Sequence, residues 1–180
     1  MNIAAQPPVQ ADQTVYLKDY QKPAFLVESI NLDIQVYDDK TIVDSTLVMK
    51  RQTAGDLVLL GRDLELQSIQ LNGQDLTPAQ YSLDSEQLVI TDAPDEVILQ
   101  TQVIIHPETN TQLEGLYKAG DLFVTQNEPE GFRKITFYPD RPDVLSVFTT
   151  RVEADKKYPV LLANGNLLET GEAGENRHFA

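Results

Sequence analysis

Apolar and polar residues alternate along most of the chain. In "FLVESINLDIQVYDD" the apolar positions fall at Phe25 and Val27, then at Ile30, Leu32, Ile34 and Val36. A period of two sends successive side chains to opposite faces, the mark of a half-buried strand. The phase slips between Val27 and Ile30, which predicts a bulge or a bend there. "DDK" then reverses the chain into "TIVDSTLVMKRQ", making an antiparallel hairpin. "DLVLLG", "LELQSIQLNGQDL", "QLVITD", "DEVILQTQVIIHP", "EGLYKAGDLFVTQ", "FRKITFYP" and "VLSVFTTRVEAD" continue the pattern. Asn72-Gly73 suits a type I′ turn, whose two central residues need positive φ. "YPVLLANGNLLETGE" holds a second Asn-Gly turn at Asn164-Gly165.

Convincing helices are missing. "LTPAQYSL" and "DRPDVLS" each suit a short turn or one helical turn, and Asp140 and Pro142 suit a helix N-terminus in the second. Many short strands with regular turn signals predict an all-β sandwich or a curved sheet. A chain of 180 residues is long enough for one well-cored domain, or at most two small ones. The start, "MNIAAQPPVQADQT", lacks the basic and apolar regions of a secretory signal. It reads as a disordered tail over 1–14, leaving 15–180 as the domain. At the other end, "LLETGEAGENRHFA" reads as a hairpin whose second strand begins at Arg177 and is cut short. A strand cut short leaves its partner's edge unpaired, so the expectation is a piece of a longer polypeptide, truncated at its C-terminal strand.

Charge narrows the partners. Lys plus Arg is 14 and Asp plus Glu is 28, a formal net charge of −14. Such a surface repels phosphate, which argues against nucleic acid or an anionic membrane as the main partner. Most of the excess acid reads as a solubilising surface. With no cysteine, neither a disulfide framework nor a Cys zinc site is possible, and a reducing compartment fits. Apolar runs such as "VILQTQVII" fall short of a membrane span.

Few residues offer chemistry. The two histidines, His106 and His178, belong to no HExxH and form no pair at helical spacing, so no metal site is expected within the chain. No G-x-S-x-G elbow and no P-loop is present. "SLDSEQ" and "YDDK" are acidic turns without EF-hand spacing.

One stretch stands apart, "VTQNEPEGFRKITFYPDRPDV", Val124 to Val144. If Gln126 to Glu130 is extended, Gln126, Glu128 and Glu130 share one face. Such a face is tolerable when it is solvated or when a cation binds it. Pro129 forces Glu128 out of the helical region and ends strand pairing. A carboxylate held this way on a rigid element can anchor an ammonium group. The other reading is a polar loop in which Glu130 pairs with Arg133.

These residues carry a resemblance. "LEGLYKAG", "TQNEPEGFR", "DRPDV" and "ADKKYPVLLANGN" occur in the order of similar segments in the N-terminal domain of the aminopeptidase N family, the gluzincin alanyl aminopeptidases, and most of all its bacterial cytoplasmic branch. The likeness runs over nearly the whole chain after the tail. It implies a curved, saddle-like β-sandwich of mainly antiparallel strands that walls the active site of a thermolysin-like catalytic domain. It implies that Glu128 binds the α-ammonium group of a peptide substrate and that Gln126 lines the same pocket. By the same likeness the zinc ligands and the GxMEN motif belong to the catalytic domain of the parent enzyme. No catalytic residue, zinc or turnover is then expected in this chain, and the setting is the cytoplasm. Family members usually carry a small residue after the anchoring Glu, with a cis bond between the two. Pro129 stands there in this chain, and a cis Glu128–Pro129 bond is expected. The competing reading is a stand-alone acidic β-sandwich, a binding or structural module. Its carbohydrate version is weakened by an aromatic content of 7% and the lack of Trp.

Overall fold

In a computed structural model of the chain, residues 16–180 are described, and the expected tail lies outside them. The elements in chain order are β1 (Phe25–Val36), β2 (Thr41–Arg51), β3 (Leu57–Leu60), β4 (Glu65–Leu71), β5 (Gln74–Asp75), β6 (Ser82–Leu83) and β7 (Gln87–Ile90). Then follow β8 (Glu96–Ile105), β9 (Gly115–Ala119), β10 (Leu122–Gln126), β11 (Val147–Asp155), β12 (Gly171–Glu172) and β13 (Arg177–Phe179). Short 3-10 turns span Leu17–Asp19 and Phe132–Lys134. The fold is an all-β sandwich, as the alternation predicts.

An eight-stranded sheet runs β12-β13-β11-β1-β2-β8-β4-β5. A three-stranded sheet, β3-β7-β6, and the β9–β10 hairpin complete the fold. Pairing is antiparallel except between β1 and β11, which run parallel. On β2 and β8 every second residue is buried, from Thr41 to Met49 and from Val97 to Ile105. Ile30, Leu47, Leu99 and Val103 of the large sheet share one core with Leu57, Leu59, Leu88 and Ile90 of the small one. Each such aliphatic side chain contributes about 1.5–3 kcal/mol by leaving water.

The phase slip is a bulge. The β1–β2 register shifts between Val27 and Ser29. It lets Val27 and Ile30 both enter the core, at 1% and 0% exposure, although their spacing is odd. Asn72 and Gly73 have φ of 51° and 77°, the double positive φ that the turn between β4 and β5 needs.

Two expected strands do not form. "FRKITFYP" begins as the 3-10 turn Phe132–Lys134 and joins a ladder only through the bridge between Tyr138 and Leu60. Its residues Ile135 to Tyr138 are all buried, so the segment has no solvent face to alternate toward. Its backbone bonds instead to the end of β3, through Leu60 N–H to Tyr138 O (2.8 Å) and Arg62 N–H to Arg133 O (2.9 Å). The second is the stretch before β12. Asn164 and Gly165 make a bend, but the flanking residues pair with nothing regular. Val160, Leu162, Leu167 and Leu168 stay exposed there. Alternation without a ladder partner does not make a strand.

No helix among the described residues is long and apolar enough to cross a membrane.

Candidate functional site

The β9–β10 hairpin leads directly into the candidate residues. Strand β10 ends at Gln126, and Glu128 to Gly131 form a turn. The extension supposed for Gln126 to Glu130 therefore stops early, and the three side chains do not share a pleated face. The Glu128–Pro129 bond is cis, as the resemblance implies. Glu130 sits at φ 69°, a left-handed conformation uncommon for a residue with a side chain.

Local contacts hold this turn. The Gln126 side-chain amide donates to the Glu128 carbonyl at 2.7 Å. Gly131 N–H donates to the Asn127 carbonyl at 3.2 Å. A Cβ on Gly131 would lie 2.4 Å from the Gln126 carbonyl oxygen and 3.0 Å from Gly115 N. Only glycine allows the turn to fold so closely onto the start of β9.

The segment after the turn is anchored by charge. Arg133 donates from its backbone N–H and its Nε to Asp140 Oδ2, at 3.1 and 2.9 Å, and from Nη2 to the Asp140 carbonyl at 3.0 Å. Both side chains are 12% exposed. The same Nη2 lies 3.2 Å from Glu130 Oε2, so the pairing of Glu130 with Arg133 is present. The Lys134 ammonium, 5% exposed, reaches Asp63 Oδ2 at 2.9 Å and Gln112 Oε1. Buried cations persist only when partnered in this way. Phe132 packs edge-on against Tyr138 and Phe148, with centroids 5.1 and 5.8 Å apart. Burial pushes the Tyr138 phenol pKa up, against the pull of its hydrogen bond with Ser146.

Asp140 does not cap a helix, as its place in "DRPDVLS" suggested. Arg133 occupies its carboxylate, which leaves a single turn closed by Val144 N–H to the Arg141 carbonyl at 3.1 Å. Arg141 grips Asp143 through Nε and Nη2, at 2.9 and 2.8 Å, and bonds the Gln21 carbonyl. Hydrogen bonds from Arg141 hold the Asp143 carboxyl below its ordinary pKa.

Glu128 and Gln126 are both exposed. Among the described residues, the local contacts engage the Glu128 carbonyl and the neighbouring Glu130 carboxylate, while the Glu128 carboxylate has no ion-pair partner. Two clefts, of about 590 and 700 Å³, lie elsewhere and are not lined by either residue. His106 sits at the first cleft, with Nε2 3.1 Å from Glu65 and Nδ1 3.1 Å from Glu108. His178 Nε2 meets the Tyr158 carbonyl at 2.8 Å. Among the described residues, no three His, Cys, Asp or Glu converge as metal ligands, so these side chains do not fit a zinc ion.

Sequence reading missed the Arg133–Asp140 and Lys134–Asp63 pairs. The first spans seven residues and the second 71; seven would match two helical turns, but no helix runs from Arg133 to Asp140, and 71 follows no local period. The only signal was a lysine inside an apolar stretch.

A mainly antiparallel sandwich with a turn carried on the β9–β10 hairpin defines an all-β domain, and among its described residues no group of three metal-ligating side chains is found. The chain belongs to the peptidase M1 N-terminal domain family, whose pattern matches residues 20–180. It is 45% identical over 171 residues to aminopeptidase N of Caulobacter vibrioides, covering 93% of this chain and 20% of that protein. It is 42% identical to aminopeptidase N of Escherichia coli, covering 94% of this chain and 20% of that one. The chain thus spans about a fifth of the length of these curated relatives. Among solved structures, aminopeptidase A of Legionella pneumophila in complex with aspartic acid superposes with a TM-score of 0.84 at 30% identity. That match covers 91% of this chain and 20% of the other. An M1 zinc metallopeptidase of Deinococcus radiodurans shares the fold, with a TM-score of 0.72 at 19% identity over 87% of this chain and 38% of its own.

Proposed function

We propose that this chain is the substrate-facing N-terminal domain of a zinc-dependent aminopeptidase, which removes residues one at a time from the free N-terminus of peptides. Glu128 binds the substrate α-ammonium group and Gln126 helps line the same pocket. The observation that carries this reading is a turn held by local hydrogen bonds and one ion pair, in which the Glu128 carboxylate is the charge left without a partner among the described residues. A carboxylate carried on a held backbone suits an ammonium group, because less conformational freedom is lost on binding than from a free loop. It also selects against N-blocked peptides, which bring no charge to meet it.

The zinc and the residues that cleave the bond belong to the rest of the polypeptide, and no step of the reaction runs through side chains of this chain other than binding. The partner is the catalytic domain of that polypeptide. The exposed side chains Val160, Leu162, Leu167 and Leu168, 68% to 86% accessible, support an apolar contact of this kind. A cysteine-free chain suits the cytoplasm. The isolated domain turns nothing over.

Glu128→Ala in the full-length polypeptide tests this. It is expected to raise KM and to lower kcat/KM roughly a hundredfold on a free-amino peptide. The preference over the N-acetylated peptide should shrink with it. Parent-level kinetics in that variant sink the anchoring role.

A further inference from the structure

Glu128 is only as well placed as the turn that carries it, and the Arg133 side chain, from the 3-10 turn that follows, ties that turn to a residue further along the chain. Arg133 is held at both ends. Asp140 takes its backbone N–H and Nε on one carboxylate oxygen and its Nη2 on the carbonyl. These bonds fix the guanidinium as a rigid post at 12% exposure. From that post Nη2 meets Glu130 Oε2 at 3.2 Å. Glu130 is the last side chain of the turn, two residues from Glu128, and is held at positive φ.

Gln126 bonds the Glu128 carbonyl and Gly131 bonds the Asn127 carbonyl, both within five residues, and these bonds shape the turn. The close approach of Gly131 to Gly115 and the bond from Lys134 N–H to the Gly131 carbonyl, at 3.1 Å, seat its far end on β9. Neither of these reaches a side chain of the turn. Arg133 ties it by a side chain to Asp140, beyond the Phe132–Tyr138 packing. Since Glu130 is 56% exposed and Arg133 is not, the pair does little for global stability. Its effect falls on the orientation of the turn.

We propose that Arg133, fixed by Asp140 and acting through Glu130, is a positioning residue for Glu128. The proposal rests on the reading of Glu128 as the ammonium anchor. Arg133 touches no substrate. It sets the direction of the Glu128 carboxylate, so its removal costs the enzyme only where that carboxylate is used. A merely structural role for Arg133 would instead act whether or not Glu128 is present.

The test is a double-mutant cycle in the full-length polypeptide, read as kcat and KM on an amino-acid p-nitroanilide. Glu130→Ala is expected to lower kcat/KM roughly fivefold and Arg133→Gln roughly tenfold, with KM raised in both. In a Glu128→Ala background each change should leave kcat/KM within about twofold. Glu130→Gln, which keeps an acceptor for Nη2, should recover part of the loss. Should Arg133→Gln fail to fold, the exposed Glu130→Ala decides alone. Parent-level kinetics for Glu130→Ala, or losses that persist at full size without Glu128, overturn the positioning role and leave the anchor intact. Parent-level kinetics for Glu128→Ala itself overturn the anchor, and the positioning role with it.

Discussion

The sheet formed by β1, β2 and β8 and the segment from Asn127 to Asp143 are built on different principles. In the sheet, position follows from alternation. Val43, Leu47, Leu99 and Val103 face inward because every second residue must, and their energy is spread over area. In the segment, position follows from single partners. Arg133 has Asp140, Lys134 has Asp63, and Gly131 has the Gln126 carbonyl against it. The loss of one methyl group from the sheet is shared among many packed neighbours, each of which gives a little. Losing one partner from the segment frees a charge and the backbone that it held. A scaffold made of area thus supports a site made of pairs.

The largest effect tests the first half of that contrast. Leu99→Ala, at a side chain with no exposure, should cost about 2–5 kcal/mol of unfolding free energy in a urea titration. Amide NMR shifts at Gln126 to Gly131 should stay close to those of the parent. Large shifts there would show that sheet and turn are not separable. Asp140→Asn tests the second half. It should cost about 1–3 kcal/mol, because a charged acceptor for a buried guanidinium becomes neutral. Here the shifts at Gln126 to Lys134 should move most, and those of β2 and β8 least.

The smallest effect lies on the rim. Burial pulls the His106 pKa down, but the hydrogen bonds that its ring donates to Glu108, the Asp39 carbonyl and Glu65 outweigh it and leave the pKa raised above 6.5. The folded state therefore binds the proton more tightly than the unfolded one. The resulting stability is fully present below the unfolded value of 6.5 and is lost as pH rises through the higher folded value. His106→Gln should flatten that slope in urea titrations between about pH 5 and pH 8. An unchanged slope would remove His106 as its source.

The balance of area and pairs also explains what could be read in advance. The alternation in "TIVDSTLVMKRQ" and "DEVILQTQVIIHP" predicts β2 and β8, and the slip after Val27 predicts the bulge. Periodicity is the imprint of one buried face, so it reads well wherever a face exists. "FRKITFYP" has no exposed face, and its apolar run looks like a strand while its backbone bonds to the end of β3. "YPVLLANGNLLETGE" has the right composition and turn but no ladder partner. For the site, spacing left Glu128 open between an anchor and a polar loop, and the resemblance singled it out. The Glu130–Arg133 pair is local enough to be seen from spacing. The Arg133–Asp140 and Lys134–Asp63 pairs depend on how the segment folds back on the sheet, which no local pattern records.

The most direct test of the central claim is a crystal structure of the full-length polypeptide with a free amino acid or peptide bound. A Glu128 carboxylate oxygen should lie about 2.7–3.2 Å from the ligand's α-ammonium nitrogen. An ammonium group held by other residues, with Glu128 turned to water, would contradict the account.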